Sequence, residues 1–184
     1  MKWTAKLSIG ILAHGAVSIA SPLPSRPAIQ AQAFLKNASA QFHLKEDLAN
    51  LALESISESP VGYHVRFVQT QGGIPVDQAS VVVTVDRSGA VLSYVNDYAV
   101  STLEESSSPR FDLPAEQALK LAYESLELTA SPTRQKIQNK VLIIDGNPHA
   151  VYQINLSSPV DRLWSWEIVV DASSGFVHRS VSRA

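Results

Sequence analysis

The chain contains no cysteine. That absence excludes disulfide staples, Cys-ligated zinc and thiol catalysis together. No His-Glu-x-x-His occurs, and none of His14, His43, His64, His149 and His178 stands three or four residues from another. A zinc-peptidase helix needs two imidazoles one turn apart, so this sequence cannot build one. Also missing are a G-x-S-x-G nucleophile elbow and a phosphate-binding glycine loop. There is no basic block, and the formal net charge is −2, so no electrostatic pull toward nucleic acid exists. The apolar run Leu7 to Ile19 is too short to cross a bilayer comfortably. Without a nucleophile, a metal set or a cofactor loop, the chain is expected to be a binding module and not an enzyme, with no cofactor of its own.

What is present is enough apolar matter for a core. Hydrophobic residues make up 45% of the 184 positions and charged residues 17%, a balance that suits one medium domain or two small ones. Lys2 and Lys6 precede the Leu7 to Ile19 run, and Ser18-Ile19-Ala20 supplies small residues for cleavage after Ala20. Residues 1–20 are therefore predicted to be an export signal and the protein to be secreted and extracellular, with no membrane attachment once the signal is removed. Export fits two sequons, Asn37-Ala38-Ser39 and Asn155-Leu156-Ser157. A secreted chain without cysteine has to rest on its core alone.

The stretch around which the rest is arranged is Arg66-Phe67-Val68-Gln69-Thr70-Gln71-Gly72-Gly73-Ile74-Pro75-Val76. Tyr63, Val65 and Phe67 alternate with His64 and Arg66, the pattern of a half-buried strand. Arg66 and Gln69 are expected on that strand outside the core. Gly72-Gly73 turns the chain, and a Val-rich strand follows with Ala79, Val81, Val83 and Val85 on one face. Upstream, three prolines make residues 21–32 a linker. Ala28 to Asn37 favours helix, with Ile29, Ala33 and Phe34 on its apolar side. Leu44, Leu48, Leu51, Ala52 and Ile56 recur at helical spacing, which predicts a second helix closed by Ser59-Pro60.

Residues 33–100 thus form a first unit, and the Ser- and acid-rich stretch 101–110 is the internal boundary. In the second unit, 111–184, Asp112 and Pro114 open a helix with Ala115, Ala118, Leu119, Ala122 and Leu126 as its stripe. Strands follow at Val141 to Ile144, Ala150 to Leu156, Trp164 to Val170 and Phe176 to Val181. Val85-Asp86-Arg87-Ser88-Gly89 and Val170-Asp171-Ala172-Ser173-Ser174-Gly175 echo each other as strand, Asp, turn and Gly. Asp86 and Asp171 could be imagined as an acid pair, but an Asp at a turn is better explained as a cap on local backbone. The fold expected is α+β, in two similar units.

The residues Arg66, Phe67, Gln69, Thr70, Gly73, Ile74, Pro75 and Val76 resemble the motif of the fungalysin/thermolysin propeptide (FTP) domain. Gln71 stands where that motif usually has an aromatic, and Gly72 is an added flexible residue. From Asp112 onward, Ala115 to Ala122 and Trp166-Glu167-Ile168-Val169-Val170-Asp171-Ala172 with Gly175 resemble a PepSY domain, the second unit of such propeptides. The resemblance implies two cystatin-like units, each a helix on an antiparallel sheet. It implies an intramolecular chaperone and inhibitor of a secreted zinc metallopeptidase, fungalysin or thermolysin in type, acting in cis or in trans. Zinc would then belong to the peptidase partner alone. Arg66, Phe67, Gln69, Gly73, Ile74, Pro75 and Val76 become the candidate contact residues. The alternative is a stand-alone secreted protein-binding module with the same fold and no protease partner.

Overall fold

The structure is a computed structural model, and it describes residues 25–101, 109–126, 132, 134–157 and 165–183. The export signal with Ala20, most of the 101–110 boundary and Trp164 lie outside the described residues. The first unit holds α1 (Arg26–Asn37), β1 (Leu51–Ser59), β2 (Gly62–Gln71), β3 (Ile74–Val85) and β4 (Val91–Asn96). The second holds α2 (Ala115–Leu126), β5 (Arg134–Ile144), β6 (Asn147–Ser157), β7 (Ser165–Asp171) and β8 (Val177–Ser182). The architecture is α+β, with each helix lying on an antiparallel ribbon of strands.

The first sheet follows from a period of two. Val65 and Phe67 of β2 pair with Val83 and Val81 of β3, and all four are buried. Against them α1 sets Ala28, Ala31 and Leu35, each fully out of solvent. Alanines at this seam let the helix approach the strands closely. Removing Phe67, Leu35 and the valines from water stabilises the unit by roughly 1.5–3 kcal/mol per side chain. The helix starts at Arg26, with Pro27 in its first turn where a missing N–H costs nothing. It thus begins inside the stretch read as linker. Its buried stripe is Ala28, Ala31 and Leu35, not Ile29 and Ala33, and Ile29 is 51% exposed. Apolar residues surround this helix on several sides, so the stripe that packs is chosen by fit to the sheet.

The helix expected over Leu44 to Ile56 does not form. Turns occupy residues 38–50, with His43 and Leu48 at positive φ, and β1 takes over at Leu51. The residues at helical spacing belong to two different elements: Leu44 and Leu48 lie in the turns, and Leu51, Ala52 and Ile56 lie in β1, which has a bulge between Leu53 and Ser55. Leu51, Leu53 and Ile56 pair with Gln69, Phe67 and Val65 and so share the α1 side of the sheet. Ala52 pairs with Val68 and so takes the opposite face from Leu51 and Ile56, which means the five residues at helical spacing share no single face. Phe42 and Leu44 reach the same core from the turns. Ser59 ends a strand, not a helix.

In the second unit the predicted stripe holds. Ala118 and Ala122 are fully buried, and Ala115, Leu119 and Leu126 pack beside them against Ile154, Leu156, Ile168 and Val170. β5 is longer than Val141 to Ile144, because its polar first half pairs residue by residue with β6 from Arg134↔Ser157 to Ile144↔Asn147. A strand with so few apolar residues carries no hydrophobic period to read. The units join where β3 meets β5 in parallel at Val76↔Val141, producing a continuous eight-stranded sheet. A third apolar cluster, Val76, Ala79 and Val141 with Ile74, Ala99 and Ile143 against it, fills this joint.

Candidate functional site

Gly72 and Gly73 have φ of 56° and 78°. Two consecutive positive values make the tight reversal that matches the twist of the flanking strands, and Gln71↔Ile74 and Thr70↔Pro75 pair directly across it. Pro75, second in β3, gives up a donor where the strand is only beginning.

The seven candidate contact residues separate sharply. Phe67, Gln69 and Val76 are each 1% exposed. Phe67 fills the first core and Val76 the joint. Gln69 is interior, contrary to the expectation that it lies outside the core. Its Nε2 donates to the Ala99 carbonyl at 2.7 Å, and its Oε1 accepts from the Ala99 N–H at 2.8 Å. One amide thereby fastens the segment after β4 to β2. A buried amide that satisfies both ends this way escapes the desolvation cost of an unpaired one. Ile74 and Pro75 are half-buried beside the joint, and Gly73 is exposed. Arg66 is exposed and ion-pairs across the strands, its Nε 2.6 Å from Glu54 Oε2. The structure therefore brings the hairpin residues together as the hinge of the fold, and only Arg66 and the glycine tip face outward. Asn37 is exposed at the end of α1, whereas Asn155 lies within β6, paired with Lys136 and Glu167 on its two sides.

Asp86 and Asp171 both cap their own turns. Asp86 Oδ1 accepts from Ser88 Oγ and from the N–H of Gly89 and Ala90 at 2.7–2.8 Å. The Ser88 hydroxyl leads in holding its carboxyl below the ordinary carboxylate value. Asp171 Oδ1 accepts from the N–H and hydroxyl of both Ser173 and Ser174. Burial pushes the Asp171 carboxyl up, but these serine bonds outweigh it and hold the group well below the usual range. Its second oxygen lies 3.4 Å from His178 Nε2 and 3.9 Å from His149 Nδ1. Among the described residues no group of three or more His, Asp or Glu side chains is placed to hold a metal ion.

A polar network at the joint had no sequence signal. Arg179 of β8 donates to Asp77 Oδ2 of β3 at 2.8 Å and to Glu167 Oε1 of β7 at 3.0 Å. Arg183 takes the other Glu167 oxygen at 2.6 Å. Asp77 and Glu167 are both buried, and Gln78 beside Asp77 sits at φ 56°, which kinks β3 there. Asp77 and Arg179 are 102 residues apart, and only a spacing rule that spans two units could have paired them.

Comparison with known proteins agrees with the hairpin. Residues 49–98, from the end of the turn segment through β4, match the family described as Fungalysin/Thermolysin Propeptide Motif. Bacillolysin of Bacillus subtilis (strain 168) is 27% identical over 141 aligned positions, covering 69% of this chain and 26% of the relative. Bacillolysin of Bacillus amyloliquefaciens is 27% identical over 124 positions, covering 62% and 24%. The chain thus spans about a quarter of the length of the curated relatives it matches. Among solved structures, the Bacillus megaterium YpeB C-terminal domain aligns with 88% of this chain and 65% of its own, at 15% identity and a TM-score of 0.47. No helix among the described residues is long and apolar enough to cross a membrane. The chain carries a fungalysin/thermolysin propeptide motif, which here is the stretch that builds the first unit's sheet and its hinge to the second.

Proposed function

We propose that this protein is a proregion-type chaperone and inhibitor of a secreted zinc metallopeptidase of the bacillolysin, or thermolysin, type. The observation that carries the reading is the propeptide match over residues 49–98 together with an alignment to bacillolysins that is longer than the first unit alone. Bacillolysin relatives favour the thermolysin type over the fungalysin type. The chain's own residues supply a scaffold and no reaction: the hairpin motif spends its side chains on two cores and a hinge. Such a scaffold can act on a peptidase in two ways. Secreted peptidases of this kind are protected by kinetic barriers, and a surface that binds the folding transition state lowers the barrier. The same surface, held on the finished enzyme, covers its cleft until the scaffold is cut away.

The test uses the purified chain at micromolar concentration with a thermolysin-type peptidase. Slow, tight inhibition and a higher yield of active enzyme on refolding are expected. Neither effect across a panel of such peptidases would end the proposal.

A further inference from the structure

Among the described residues, the ladder of β5 is filled on one side only over its first half. β6 pairs with it without a break from Arg134 to Ile144. On the other side β3 meets it at Val76↔Val141. β3 starts two residues before that point, at Ile74, whereas β5 starts seven residues before it, at Arg134. Strands in a parallel pair advance together, so residues 134–138 run on past the beginning of β3. The chain turns away there at Gly72 and Gly73, and no strand among the described residues lies beside 134–138. At about 3.3 Å per residue this is roughly 17 Å of open backbone edge.

The side chains along that edge carry one sign. Arg134 and Lys136 are exposed and lie on the face turned away from α2, because Ile137 between them and Gln138 packs into the α2 core. Lys140 continues the same row. Arg134, Gln135 and Lys136 with Asn155 and Ser157 line a shallow cleft of about 600 Å³. Elsewhere the arginines on or just beyond the strands hold an acid: Arg66 has Glu54, and Arg179 and Arg183 share Glu167. Among the described residues no acidic side chain bridges Arg134 or Lys136.

We propose that this edge of β5 receives an extended, acidic segment of a partner protein, added as a further strand. Backbone pairing supplies the attraction common to any strand addition. Carboxylates at alternate positions of the added segment stand beside Arg134 and Lys136, which are themselves two residues apart on one face. Cations on an open edge repel a strand without such acids, so the feature that keeps the edge from pairing indiscriminately also selects its partner. Placing the segment on a peptidase rests on the proregion reading, while the edge can be tested without one.

The test titrates the full chain against three fluorescein-labelled peptides: one alternating Glu with Val, one with the same residues in two blocks, and one alternating Lys with Val. Only the alternating Glu peptide is expected to bind, more weakly as salt rises, with slowed hydrogen exchange confined to residues 134–138. In the variant Arg134→Glu/Lys136→Glu, with unchanged circular dichroism, binding to that peptide should fall at least about tenfold and the Lys peptide should bind instead. Equal binding of the blocked peptide, no binding by the unaltered chain, or protection elsewhere would overturn the proposal. Peptide binding with neither peptidase inhibition nor assisted refolding would sink the proregion reading and leave the edge standing; either of those effects without peptide binding would do the reverse.

Discussion

The turns at Asp86 and at Asp171 are the same device in two settings. Each closes a hairpin by accepting backbone N–H groups on one carboxylate oxygen. Asp86 stands at the surface of the first unit. Asp171, with a side chain 8% exposed, is enclosed, and its second oxygen faces two histidines. The ion pairs divide in the same way. In the first unit Arg66–Glu54 and Arg87–Glu58 are about half exposed, whereas the carboxylates of Asp77 and Glu167 at the joint are 4% and 5% exposed. Local chemistry is repeated, and burial decides how much each copy matters. Where Asp77 of β3 meets Arg179 and Glu167 of the second unit, an ion pair becomes interior.

This contrast can be broken or sharpened by substitution. The largest effect is expected from Phe67→Ala, about 3–5 kcal/mol of lost stability, because a wholly buried ring leaves a cavity. If the joint couples the units, the urea transition followed by the fluorescence of the second unit's Trp166 should move with it. A Trp166 signal that stays put would mean two independently unfolding units. Next is Arg179→Ala, expected to cost about 3 kcal/mol by leaving Asp77 buried without its partner. The surface counterpart Arg66→Ala should stay within about 1 kcal/mol. Equal losses for the two arginines would erase the distinction between joint and surface.

A smaller effect concerns acid. Asp171 is held below its unfolded value, so its contribution is complete above roughly pH 4, the ordinary carboxylate value, and is lost as pH falls further toward the folded one. Asp171→Asn should lower the urea midpoint at pH 7 and flatten its fall below pH 4. Asp86→Asn should show the same sign with a smaller shift, since Asp86 is not enclosed. A steeper acid response from Asp86 than from Asp171 would contradict the comparison.

Much of this was legible beforehand, for reasons that can be named. The alternation of β2 and β3, the Gly72-Gly73 reversal, both Asp turns and the α2 stripe depend on neighbours a few positions away. A helix is read over β1 because Leu44 and Leu48 of the preceding turns fall by chance at helical spacing from Leu51, Ala52 and Ile56 of the strand. The face of α1 was misread because several faces are apolar and only the sheet selects one. The first half of β5 was missed because a strand open on one edge and polar on its outer face has no hydrophobic period. At the candidate site, Arg66 lies outside the core as the alternation predicts, but Gln69 is an interior clamp. Its partner, the backbone of Ala99, is 30 residues away.

Amino-acid order alone determined the turns, most of the strands and the second helix, together with the hairpin motif. Backbone sterics, capping and side-chain period all act within a few residues, so they are written where they operate. Only the tertiary structure decided that Val76 meets Val141, that Asp77 is answered by Arg179, and that no strand among the described residues pairs with the outer edge of residues 134–138. Those outcomes depend on which distant surfaces exclude water from one another, and the chain does not encode that in any short stretch.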